Sequence, residues 1–121
     1  MILVVDDDES IARAISSVLQ LNGYSVAIAG SCDEALGYLD ENRPSLVFSD
    51  VNMPTHDGFE LLRIIKSNPV TQNIPVVFVS AQARADDRER ALKAGVTAYL
   101  EKPFDPGRLI NAVKEYALVE A

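Results

Sequence analysis

The chain has 121 residues, 48% of them hydrophobic, enough for one compact domain with a core and too few for two. Eighteen acids against eleven bases leave a net charge of −7, which argues against a nucleic-acid or anionic-membrane binder and favours a cation or a basic partner. The lone Cys32 cannot close an internal disulfide and no apolar run approaches the ~20 residues of a membrane span, so the chain reads as a reduced, cytoplasmic protein.

Five short apolar runs alternate with longer segments of helical spacing. Residues 1–5 are the first run, and the acids after it suit the positive end of a helix whose Ile11, Ile15, Val18 and Leu19 share one face. Asn22-Gly23 ends that helix. Residues 24–29 are the second run, followed by Ser31 as an N-cap with Glu34 completing a capping box, in a helix that stops near Asn42, before Pro44. Residues 46–49 are the third run; the next helix opens at Gly58, turns Phe59, Leu62 and Ile65 inward and closes at Asn68-Pro69. Residues 76–79 precede a helix over 84–94 that ends at Gly95, in which Ala91, Leu92 and Ala94 are the inward residues of an otherwise charged segment. Residues 98–100 are the last run. Asp105-Pro106 then caps a helix that places Leu109, Val113 and Tyr116 or Ala117 on the core and continues to the chain end.

This rhythm implies right-handed βαβ units: an α/β, flavodoxin-like, doubly wound fold with a five-stranded parallel sheet in the order 2-1-3-4-5. In that order a crevice opens beyond the carboxyl ends of the first and third strands. Asp6, Asp7 and Asp8 end the first run and Asp50 ends the third, so several carboxylates meet there. Taken singly, each acid is a helix cap or a solvated loop residue, and Asp8 keeps that reading. Together they repel unless a cation sits among them, and an all-oxygen donor set without thiol or imidazole suits Mg²⁺ or Mn²⁺. Ser80 and Lys102 end the fourth and fifth runs at the same rim. A metal pocket, a central carboxylate, a hydroxyl donor and an ammonium make a site for a phosphoryl group, with Asp50 as nucleophile.

The motifs "ILVVDDDE", "SDVNMPTHDG", "VSAQA" and "AYLEKPF" resemble, in order and spacing, the response regulator receiver domain of bacterial two-component signalling, over essentially all of 1–121. That resemblance implies Asp50 as phosphoacceptor, Asp6 and Asp7 as the acid pair, Asn52 as a backbone-carbonyl metal ligand, Ser80 and Tyr99 as the switch pair and Lys102 as the active-site lysine. It implies a histidine kinase or phosphotransfer protein as donor, and a downstream protein or output domain reached through the surface of the fourth helix, fifth strand and fifth helix, which is also a dimer face. Direct nucleic-acid and membrane binding are not expected of the domain, nor is turnover catalysis. It also implies a cis Lys102-Pro103 bond. Asn52 and Gln82 flank the site as neutral amides that bear on hydrolysis. Around these, His56 is expected to be an exposed bystander, Cys32 a packing residue and Gly58 the source of an unusual φ, while Gly107 costs helix propensity for no evident reason.

Three rivals compete. A haloacid-dehalogenase-type phosphatase wants a second Asp where this chain has Asn52; a flavodoxin-like cofactor binder wants phosphate-holding amides where "DDD" stands; a pseudo-receiver interaction module would lack the intact Asp50, Lys102 and acid pair.

Overall fold

Apolar runs buried on both faces become the strands. The computed structural model describes residues 1–81 and 85–118. Its elements run β1 (Ile2–Val5), α1 (Glu9–Leu21), β2 (Val26–Ala29), α2 (Cys32–Glu41), β3 (Leu46–Ser49), α3 (Gly58–Ser67), β4 (Val76–Ser80), α4 (Ala85–Ala94), β5 (Ala98–Glu101) and α5 (Pro106–Tyr116). The strands form one parallel sheet in the order β2-β1-β3-β4-β5. The flavodoxin-like architecture and its strand order are therefore those the sequence implies.

Strand alternation divides the core in two. Leu3, Val5, Val47, Val76 and Phe78 face α2, α3 and α4, where Ala35, Leu39, Leu61, Leu62 and Ile65 complete one cluster. Ile2, Val4, Phe48, Val77 and Val79 face α1 and α5, meeting Ile15, Leu19, Leu109 and Val113 in the other. Cys32 is 2% exposed within the first cluster, the packing role expected of it, and burial together with nearby Asp33, Glu60 and Asp57 pushes its thiol up. No helix among the described residues is long and apolar enough to cross a membrane.

Helix ends follow local chemistry. Asp8, Ser31, Asp57 and Asp105 are the N-caps of α1, α2, α3 and α5, each accepting backbone N–H bonds. The Glu34 carboxylate bonds back to the Gly30 N–H, one residue before the cap, so the capping box is displaced by one. Gly23 and Gly95 take positive φ after α1 and α4. Gly107 gains an account: its N–H donates to Asp105 Oδ1, which would lie 3.3 Å from an added Cβ.

Several expectations change. β2 is shorter than the run 24–29, Tyr24 and Ser25 lying before it. In α3, Leu61 is buried and Phe59 only half-buried. In α4, Ala91 is buried but Leu92 is 58% exposed and Ala94 is exposed, because the inward stripe is narrower than the apolar letters suggest. The expected start at Arg84 lies outside the described residues. α5 stops at Tyr116 with Ala117 as its C-cap rather than continuing to the chain end, and Leu118 N–H instead bonds to Ser45 O.

These burials give opposite outcomes for two leucines. Leu109→Ala should lower the urea unfolding free energy by about 2–5 kcal/mol, whereas Leu92→Ala should stay within about 0.5 kcal/mol of the parent.

Candidate functional site

The register of the sheet sets which side chains meet. Asp50 N–H bonds to Val5 O, Asp6 N–H to Ala29 O and Lys102 N–H to Ser80 O, tying the ends of β3 to β1, β1 to β2 and β5 to β4, while the β3–β4 ladder joins the two groups along one edge. Asp6, Asp7 and Asp50 offer carboxylate oxygens that all lie within 4.8 Å of one another. Asp6 and Asp50 are buried and Asp7 is exposed, so the cluster opens to solvent on one side.

Lys102 closes the group from the other side. Its Nζ donates to Asp6 Oδ2 at 2.9 Å and lies 3.5 Å from Asp50 Oδ1. Asp6 Oδ1 accepts from Asp8 N–H at 2.9 Å, and Asp50 Oδ1 from Val51 N–H at 2.8 Å. Burial pushes the Asp50 carboxyl above the usual carboxylate range. The Lys102 ammonium draws it down, Asp6 pushes it up, and the N–H groups of Val51 and Asn52 draw it down, leaving a net rise. A carboxylate close to two others, made less stable by burial and by its neighbour, is a natural cation ligand.

The loop after Asp50 is fixed by close approach. Gly58 N–H bonds to Val51 O, and an added Cβ on Gly58 would meet Asp50 O at 2.4 Å. Its φ is not among the positive ones, so steric space, and not the unusual φ expected, is what requires glycine here. The left-handed residue of the loop is Thr55, at φ 71, an uncommon state for a β-branched side chain.

The family described as "Response regulator receiver domain" matches residues 2–114. The chain belongs to that family. This receiver domain is 41% identical over 117 residues to an uncharacterized 14.6 kDa protein of Leptolyngbya boryana, covering 97% of this chain and 89% of that one. It is 36% identical over 114 residues to Response regulator Rre1 of Synechocystis, covering 93% of this chain and 49% of Rre1, so it spans about half of that relative. The solved receiver domain of the Francisella response regulator 1452 superposes with TM-score 0.88 at 34% identity, covering 95% of this chain and 93% of that one.

The receiver domain brings Asp6, Asp7, Asp50 and Lys102 into one group and places Ser80, fully buried, at the neighbouring strand end. Tyr99 stands farther back. Its backbone pairs with Phe78 while Ser80 pairs with Glu101, and its half-buried ring meets the Phe78 ring edge-to-face at 6.4 Å. Asn52 is exposed in the loop. Gln82 lies outside the described residues. Lys102-Pro103 is cis.

His56 is not the bystander expected. Its Nδ1 lies 2.7 Å from Glu60 Oε2, and the hydrogen bond and charge of Glu60 raise its pKa. The spacing of four residues across the start of α3 was the available signal. A raised folded value means its contribution is complete below the ordinary histidine value and fades as pH rises through the folded one.

Two outcomes follow. Gly58→Ala should destabilise the domain by about 2 kcal/mol or more, since the clash is with backbone, read as a lower urea midpoint at unchanged slope. In chelator at neutral pH, Asp50→Asn should melt higher than the parent. A raised folded pKa lowers stability as pH climbs through it, so the gap should shrink as pH falls into the ordinary carboxylate range.

Proposed function

We propose that this receiver domain is a phosphoacceptor switch that takes a phosphoryl group onto Asp50 from the phosphohistidine of a histidine kinase or phosphotransfer protein. The observation that carries the reading is the Lys102 ammonium, 2.9 Å from Asp6 and 3.5 Å from Asp50, inside a cluster of three carboxylates. A phosphoryl group has anionic oxygens that need such a cation, and Asp50 has a carboxylate oxygen to attack with.

In the transfer, an Asp50 oxygen forms a bond to phosphorus as the phosphorus–nitrogen bond of phosphohistidine breaks, the imidazole keeping the electron pair. Lys102 meets the phosphoryl oxygens, and the Ser80 hydroxyl donates a hydrogen bond to one of them. Water later attacks phosphorus and returns free phosphate and the Asp50 carboxylate, with Asn52 beside the path of that water. The domain thus acts once per phosphoryl group received, in the manner of a switch, and we place it in the cytoplasm, the compartment that suits its single buried thiol. The donor set Asp6, Asp7 and Asp50 with the Asn52 carbonyl fits Mg²⁺ or Mn²⁺, which when bound would offset the negative charge shared by carboxylates and phosphoryl group.

Output follows from Ser80 and Tyr99. Movement of the Ser80 hydroxyl toward the phosphoryl group makes room for the Tyr99 ring, and the surface of α4, β5 and α5 changes shape for a downstream protein, an output domain or a second copy. Ile11, Ala81, Pro103 and Phe104 form an apolar recess around Lys102, a surface on which the phosphohistidine-bearing donor would rest.

Incubation with acetyl phosphate and Mg²⁺ should add one phosphoryl group by intact mass, with none on Asp50→Asn and far less on Lys102→Ala or without the metal. An adduct that survives Asp50→Asn would sink the assignment.

A further inference from the structure

Among its described side chains α4 buries only Ala91, so apolar packing holds it weakly. Two arginines supply other contacts. Arg88 pairs with Glu101 of β5 and lies over the Tyr99 ring, its guanidinium carbon 5.6 Å from the centroid. Arg90 covers the Phe59 ring of α3 at 3.9 Å. Phe59, Phe78 and Tyr99 form a row of edge-to-face rings, with centroids 5.2 and 6.4 Å apart, and the two guanidiniums cap its opposite ends. Of the other charges of α4, Lys93 pairs with Glu89 on the helix itself, Asp86 is exposed and Asp87 is half-buried in the first turn.

Resting on the phosphoacceptor reading above, we infer that Arg88 is a positioning residue for Tyr99, and that Arg88 and Arg90 latch α4 across the aromatic row in the unphosphorylated domain. The latch is built from charge and ring faces, so salt weakens it while the aliphatic core is indifferent. A contact that favours the unphosphorylated arrangement opposes phosphoryl binding by the same free energy.

Amide hydrogen exchange in α4 of the unphosphorylated protein tests the latch. Arg88→Gln should speed exchange there about two- to fivefold, the range of one exposed ion pair, with β1 and β3 amides unchanged. Raising salt from about 50 to about 500 mM should do the same to the parent and much less to the variant. Reversing the pair, Arg88→Glu with Glu101→Arg, should recover part of the protection, which a mere loss of helix propensity would not. By reciprocity, Arg88→Gln should bind beryllofluoride with Mg²⁺ about two- to fivefold more tightly. Exchange indifferent to both salt and Arg88→Gln, or no recovery on reversal, overturns the latch. Faster exchange with unchanged beryllofluoride affinity overturns its link to the switch. A parent that binds no beryllofluoride and takes no phosphoryl group counts against the phosphoacceptor reading, and the exchange measurements still decide the latch.

Discussion

A single ammonium sets the electrostatics of the sheet's carboxyl edge. Asp6 and Asp50 end adjacent strands, and two like charges about 4 Å apart repel by ~4 kcal/mol at the effective dielectric near a protein surface. Lys102 lies between them with its side chain only 12% exposed. It reaches that position because its backbone N–H is tied to Ser80 O at the end of β4. The outermost strand of the sheet therefore governs the charge balance at its centre. A residue drawn from the edge neutralises acids drawn from the middle, and the price is a carboxylate, Asp50, whose ionised form burial still disfavours.

The backbone around Asp50 is as constrained as its charge. Its N–H is held by β1, and its carbonyl accepts from the Ser49 hydroxyl and lies against Gly58 at the start of α3. Asp57 caps the same helix, and His56 grips Glu60 one turn inside it. Asp50 is thus framed by regular elements on both sides, and the strained Thr55 takes up the remaining curvature of the connection. Across the sheet, the described side chains of α4 bury only Ala91, and Arg88 and Arg90 supply its ion-pair and ring contacts, so little apolar packing opposes movement of that helix.

The division between legible and illegible features follows the range of the forces involved. "ILVV" and "PVVFV" read as central strands because parallel strands are apolar on both faces, and caps such as Ser31 and Asp105 act within a few residues of themselves. The convergence of Asp6, Asp7, Asp50 and Lys102 was legible too, since strand order alone carries each run's last residue to one edge. Leu92 and Ala94 were misjudged because a helix with so few apolar residues does not reveal which stripe is inward. Gly58 could not be read correctly, for glycine answers equally to an unusual φ and to close approach, and only the position of the Asp50 carbonyl distinguishes them. Arg88 with Glu101 joins a helix to a strand thirteen residues on, a pairing that no local period encodes.

The burial of Cys32 has a practical consequence. The sole thiol is 2% exposed, and burial and nearby carboxylates push its pKa up, both of which slow its reaction with maleimide and related labels in the native chain. A cysteine introduced at an exposed position of α4 becomes the more reactive handle on the molecule. A fluorophore or spin label can then follow that helix in real time without removing any natural residue from the core.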